Sequence, residues 1–422
     1  MQSYIMTFYK TLVIVASLTI MFGFIACLEE KQASGPFQKA AMTAQAQMSF
    51  PELLPRNPAL GSVEEQVKMS DIYADLTRKI QQDPADHRSR IQLAQLFMLE
   101  ARVTGEHGHY YPASLTVLDE LLANDPPQDA QFGALSLKAS VYLSLHRFEE
   151  AKKLAEEAVK LNSYNSLIYG SLVDANVELG DYETAIQMAD KMVAIRPDLR
   201  SYSRVSYLRE IHGDMEGAIE AMQMAVGAGY PGYEETAWCR LTLGELIEQS
   251  GDLTAAREQY EQILAERPNY PFAMAALARI DAEEGMLEAA ENRVKQAIAI
   301  IPEFSFYEQL AEIYRTTARE EEAEATIQSI LEMLADDEAK GHKMGLEYAN
   351  VYLNLKGDPQ TALEYAKKEY TLRPENIDVN KVLAEIYWSM GESKMAKAHL
   401  IVANRTGSQH PHLQQLNNRI QS

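Results

Sequence analysis

Eight alanines recur along this chain at a nearly fixed interval: Ala151, Ala185, Ala218, Ala256, Ala290, Ala323, Ala362 and Ala396, separated by 34, 33, 38, 34, 33, 39 and 34 residues. A period of this length marks a stacked-repeat architecture. Other positions keep step with the ladder. A glycine stands five residues before the alanine in six of the eight units, at Gly180, Gly213, Gly251, Gly285, Gly357 and Gly391. A proline stands twelve residues after it at Pro197, Pro268, Pro302 and Pro374. A small residue stands twelve before it at Ala139, Ser206, Gly244, Ala278, Ala311 and Ala384, with an aromatic three further on at Tyr142, Tyr314 and Tyr387. Several offsets that agree across eight units constrain the fold far more than any one of them.

Each position has a physical reason. Small residues on two antiparallel helices let their backbones approach closely, and the aromatic fills the gap one turn away. The glycine ends the first helix at positive φ. The proline ends the second helix or opens the next, where a missing N–H costs nothing. A single helix pair cannot bury its apolar face alone, so neighbours stack.

This pattern resembles the tetratricopeptide repeat over about four-fifths of the chain. The resemblance implies an all-α protein, an α-solenoid forming a right-handed superhelix of about nine helix-turn-helix repeats over residues 63–405. Val63–Gln82 reads as a leading half-repeat, and Ile91–Ala101 pairs with Ser114–Leu122 as the first unit. Residues 406–422 read as a capping segment whose helix, Pro411–Gln421, turns a polar face to water. The wider spacings place insertions at Gly227–Gly232 and Ala335–Gly341. Asp198–Gly251 also resembles a stretch of uncharacterised bacterial proteins with the same repeat, which implies fold and little about activity.

The N-terminus follows other rules. Lys10 precedes an apolar run, Thr11–Ile25, which is shorter than the about 20 apolar residues of a membrane span and fits a signal sequence. Phe24-Ile25-Ala26-Cys27 resembles a bacterial lipobox, departing from it where Phe24 stands in place of leucine. That resemblance implies that residues 1–27 are a signal peptide, that Cys27 carries lipid, and that the protein is anchored to a membrane of the bacterial cell envelope. Glu29-Glu30 resembles a surface-export signal. The other readings are an uncleaved anchor and plain secretion. Residues 28–62, with Pro36, Pro51, Pro55 and Pro58, read as a flexible tether.

Charge and chemistry narrow the function. Lys and Arg number 39 against 61 Asp and Glu, a formal charge of −22, which argues against nucleic acid as a partner. No phosphate loop, Cys-x-x-Cys, His-Glu-x-x-His or nucleophile elbow is present. The expectation is therefore no catalytic residue, no cofactor and no small-molecule substrate. Cys239 reads as a buried small residue. His107 and His109, in Gly105–Tyr111, are the one weak metal pair, set against a polar loop that extends the first unit.

In this repeat family the first helix of each pair lines a curved trough that takes a peptide or protein. The groove positions hold Ser136, Ser140 and Ser144 in the second unit, Asp174 and Glu178 in the third, and Arg200, Arg204 and Tyr207 in the fourth, with Arg209 adjacent. Further on they hold Trp238 and Glu245, then Glu308 and Glu312. The arginines and tyrosine of the fourth unit suit directional peptide recognition. The alternative is that Arg204 and Arg209 pair with Asp174, Glu178 and Glu210 to hold units together. The family's two-carboxylate clamp needs an asparagine pair that this chain lacks, so that specificity is not carried over. The leading functional reading is a scaffold or adaptor. An assembly factor for a secreted or metal-containing envelope complex and a solute-binding lipoprotein remain as alternatives.

Overall fold

The computed structural model of the protein describes residues 50–61 and 63–421. Among these residues there are twenty α-helices and no strand. The first, α1 (Val63–Gln82), leads nine pairs. They are α2 (His87–Thr104) with α3 (His107–Leu122), α4 (Gln128–Ser144) with α5 (Phe148–Leu161), and α6 (Ser166–Leu179) with α7 (Tyr182–Ile195). Next come α8 (Leu199–Ile211) with α9 (Met215–Ala228), α10 (Glu234–Gln249) with α11 (Leu253–Glu266), and α12 (Pro271–Glu283) with α13 (Leu287–Ile300). The last three are α14 (Phe304–Thr316) with α15 (Glu320–Ala339), α16 (Gly345–Asn350) with α17 (Pro359–Leu372), and α18 (Ile377–Ser389) with α19 (Ser393–Ala403). The helix α20 (Pro411–Gln421) follows. Packing is densest within each pair and next densest between one pair and its successor, as a solenoid requires.

The ladder alanines do what their spacing demands: all eight are 0–1% exposed. The six ladder glycines sit at φ between 62° and 97°. The two units without a glycine keep the same left-handed turn, with His146 at φ 55° and Ala318 at φ 56°. The stacking evidently fixes the turn even where the residue resists it. Asp181, Asp214, Asp252 and Asp358 follow the turn glycine and cap the next helix, each accepting from a backbone N–H in its first turn.

Two expectations are corrected. The expectation of a flexible tether fails for residues 50–61, which lie packed on the first unit. Phe50, Leu53 and Leu54 join its apolar cluster. The Leu54 N–H donates to Tyr110 Oη at 2.9 Å, and Tyr73 Oη donates to the Pro51 carbonyl at 2.9 Å. Prolines forbid a helix here but not an extended strap. The rest of the tether, Cys27 and the signal segment lie outside the described residues. The second correction concerns Gly105–Tyr111, read as a polar loop. Gly105 ends α2 at φ 76°, and α3 begins at once at His107, with Pro112 inside it. On that helix His107 stacks on Tyr111 at 5.2 Å, while His109 Nε2 meets the Glu52 carbonyl at 2.8 Å. Two residues apart on a helix point away from each other, so the pair does not converge on a metal. Among the described residues no group of three or more His, Cys, Asp or Glu is arranged to hold one.

The superhelix also touches itself. Asn57 Nδ2 donates to the Ala299 and Ile300 carbonyls at the end of α13, both at 3.0 Å. Lys343 N–H donates to the Leu145 carbonyl at 3.1 Å, and His146 Nδ1 meets the Lys343 carbonyl at 2.9 Å. Arg373 pairs with Glu178, and the Ile377 N–H donates to Tyr182 Oη at 2.9 Å. Units 1–4 thus lie against units 6–9, and the trough expected along the inner side is closed along this seam.

Candidate binding surface

Asp174 on α6 and Arg204 on α8 meet as a two-point pair, Nη2 to Oδ2 at 2.6 Å and Nε to Oδ1 at 3.0 Å. Their side chains are 5% and 6% exposed. The guanidinium also donates to the Gly170 and Arg200 carbonyls, at 3.3 and 3.1 Å. Every nitrogen of the Arg204 fork is therefore engaged within the protein. Burial pushes Asp174 up to about 6, against the pull of Arg204.

The remaining sequence candidates scatter around this pair. Arg200 lies 3.7 Å from Glu235 on α10. Tyr207 is half-buried in the apolar cluster around Val173 and Val177, and burial holds its phenol well above the ordinary range. Trp238 packs edge-on against Phe272, with ring centroids 5.9 Å apart. Glu245, also on α10, acts electrostatically on Arg279, which donates to Glu248 at 2.6 Å. Arg209 faces away from the others, exposed, and donates to the Gly217 carbonyl of α9 at 3.2 Å. Cys239 is fully buried, and burial raises its thiol far above the range of a reactive nucleophile.

A second constellation lies on α14 and α16. Burial comes first in raising Glu308 to about 8, followed by repulsion from Glu312, Glu347 and Glu303. Burial also raises Glu303, Glu312 and Glu347 each to about 7. Glu347 is 3% exposed, and its Oε2 has no hydrogen-bond partner. His146, whose burial keeps it neutral with a value lowered to about 4, approaches its other oxygen at 3.7 Å. Sequence reasoning named Glu308 and Glu312 but missed Glu347. The signal was available: Glu347 stands fifteen residues before Ala362, as Glu308 stands fifteen before Ala323. The insertion before α16 hid the equivalence.

These shifts set a pH dependence. A carboxyl whose folded value lies above its unfolded one binds more protons folded, so its contribution to stability falls as pH rises from about 4.5 through about 8. Replacing Glu308 with glutamine should then raise thermal stability at pH 8, by about 1–2 kcal/mol after allowance for its half-buried, water-facing position. The gain should shrink towards pH 5.5, where both proteins carry a neutral group. Melting curves followed by circular dichroism at the two pH values check this. An equal effect at both would remove the repulsion argument.

Family models described as tetratricopeptide repeat match residues 136–199 and 248–307. Those two segments of the chain carry tetratricopeptide repeats. No curated protein matches the sequence. Among solved structures, PilW, described as a widely conserved type IV pilus biogenesis factor, is 16% identical. That match covers 60% of this chain and 98% of PilW, at a TM-score of 0.38. A tetratricopeptide repeat protein from Parabacteroides merdae is 13% identical, with 69% and 99% covered and a TM-score of 0.35. Human IFIT1, in a complex with PPP-AAAA, is 13% identical, with 84% and 96% covered and a TM-score of 0.43.

Proposed function

We propose that this tetratricopeptide-repeat array is a non-enzymatic scaffold that holds an extended, lysine- or arginine-bearing polypeptide along its inner face, tied to a bacterial envelope membrane through lipid on Cys27. Proteins built on this repeat are generally protein-interaction scaffolds, and that coarse role is the starting point. The observation that carries the finer reading is Glu347. A buried carboxyl oxygen without a hydrogen-bond partner, on a residue only 3% exposed, is costly. Glu308 and Glu312 beside it repel the same charge. A cationic side chain inserted between α14 and α16 would satisfy all three at once. The fourth unit supports the same assignment, because the buried charge of the Arg204 fork is already neutralised by Asp174 and each of its nitrogens already donates inside the protein.

No helix among the described residues is long and apolar enough to cross a membrane. The anchor proposal rests on the lipobox-like residues alone. One experiment tests both parts. Full-length protein, wild type and Cys27→Ser, is expressed in a bacterial host and fractionated. Each form is then titrated with fluorescent extended peptides carrying lysine, neutral or glutamate side chains. The expected outcome is membrane-bound wild type, soluble Cys27→Ser, and tight binding of the lysine peptide by both. Glu308→Gln combined with Glu312→Gln should weaken that binding about ten-fold. Membrane retention of Cys27→Ser would end the lipid-anchor reading, and equal binding of lysine and glutamate peptides would end the cationic-partner reading.

A further inference from the structure

The contact between units 1–4 and units 6–9 differs in kind from the packing inside the array. Within and between neighbouring units an apolar core is continuous, with ion pairs such as Asp174–Arg204 set beside it: the clusters of buried hydrophobic residues run along the chain from one pair to the next. Across the seam, among the described residues, these clusters gain one residue, Ile377, which enters the cluster of Val173, Val177 and Ile211. The rest of the seam is backbone, charge, close approach and a few ring contacts, among them His342 with His107 and Tyr111. A Cβ on Gly180 would lie 2.4 Å from the Glu375 carbonyl carbon, and one on Gly213 would lie 2.6 Å from the Gly407 oxygen. Side chains are excluded there, so the two turns meet backbone to backbone. Polar, weakly apolar interfaces within a chain are the ones that open.

The centre of the seam is Arg373, at the end of α17. Its guanidinium lies 4.9 Å from the Phe148 ring of α5, donates to Glu369 of its own helix at 2.9 Å, and pairs with Glu178 of α6. Three neighbouring contacts lie beside it. Asn376 Nδ2 donates to the Glu178 carbonyl at 3.0 Å, the Ile377 N–H donates to Tyr182 Oη at 2.9 Å, and Arg405 lies 5.2 Å over the Tyr182 ring. All these groups belong to three consecutive elements on one side, α5, α6 and α7, and to the stretch from α17 to the turn after α19 on the other. One small hinge motion between units would release them together.

We infer that this seam is a gate: it parts to admit the middle of a polypeptide sideways into the enclosed inner face, and recloses over it with Arg373 as the latch. The part of this that concerns a polypeptide rests on the proposed function. The gate itself does not. An array permanently closed would take only a chain with a free, unfolded end, by threading. A gated one also accepts an extended segment lying between two folded domains.

The test separates the two claims. Glu183→Cys on α7 and Lys397→Cys on α19 place exposed thiols on opposite sides of the seam, and Cys239 is buried and does not compete. Spin labels on this pair report the distance across the seam in a full chain that also carries Cys27→Ser, so that no other accessible thiol is present. The starting protein should show one dominant short distance. Arg373→Met should raise the long-distance fraction at least ten-fold, and Tyr182→Phe, a milder change that leaves the packing intact, should raise it by a smaller factor. A distribution unchanged in both variants would overturn the gate. The same thiols joined by a bifunctional reagent lock the seam. The probe is then a lysine-rich peptide, either free or flanked at both ends by folded domains. Unlocked protein should bind both forms, and locked protein only the free one. Capture of the flanked form by locked protein would also overturn the gate. If the seam opens in the variants and neither peptide form binds, the gate stands and the cationic-peptide reading falls.

Discussion

Arg204→Ala will lower the stability of the array by about 3–5 kcal/mol, the usual cost of removing one partner from a buried ion pair. Asp174 supplies the reason. Its carboxylate is 5% exposed and takes two donors from the Arg204 fork, at 2.6 and 3.0 Å. Alanine would strand that charge between α6 and α8, where burial already pushes it towards protonation. The loss should appear in urea unfolding followed by circular dichroism, with hydrogen exchange fastest at the junction of the third and fourth units, because stability in a stacked array is a sum of nearest-neighbour terms. The double variant Arg204→Met with Asp174→Leu should recover most of the loss, since two apolar groups of similar volume leave nothing unpaired. If Arg204→Ala unfolds like the wild type, the pair does not hold the units together, and Arg204 returns as a candidate for partner recognition.

The repeat was legible because its constraints are local and recur. An alanine that must fit between two crossing helices has few substitutes, so Ala151 through Ala396 announce themselves, and the helix pairs follow. The left-handed turn was legible in six units and hidden in two, where His146 and Ala318 stand in the place of glycine. Stacking imposed a conformation that local propensity would not have chosen. The Asp174–Arg204 pair was visible as one of two readings, since both residues fall on inner faces of adjacent units. The seam was not visible at all. Glu178 and Arg373 are 195 residues apart, and the contact between them follows from the pitch of the superhelix rather than from any repeating position. Small rotations between units, each set by packing detail, accumulate over several repeats to decide whether the turns touch. The odd segment around Gly105 and His107 is explained the same way. A Cβ on Gly105 would sit 2.8 Å from Ile301, and His107 lies 6.1 Å from His342, so this stretch is shaped by a neighbour far along the chain. The short strap of residues 50–61 failed to register for a different reason. A segment without periodicity carries no signal of burial, and its prolines are equally at home in a free tether and in an extended strand laid on a surface.

That strap carries the second large effect. Arg56 is 9% exposed, and its fork reaches Glu100 of α2 through Nε at 2.7 Å and Nη2 at 2.5 Å, while Nη1 reaches Glu65 of α1 at 2.9 Å. Glu100 is 1% exposed in the middle of the first unit. A buried carboxylate in a helix interior needs a partner, and these contacts bring it from a segment with no secondary structure. Arg56→Ala should therefore cost about 3–5 kcal/mol, comparable to the loss at Arg204. Its consequences should be different in place. The first unit, α2 and α3, should exchange its amide hydrogens faster, with little change from α8 to α11. The neighbouring Asn57 donates to the last carbonyls of α13, which a helix end otherwise leaves to water. Loosening the strap should thus also weaken the contact between the first and sixth units. A chain beginning at Val63 should reproduce both effects relative to one beginning at Phe50, and Arg56→Met with Glu100→Leu should restore the first without touching the second. If the shortened chain and Arg56→Ala both melt with the parent, residues 50–61 are a tether after all, and the first unit stabilises itself by its apolar cluster alone.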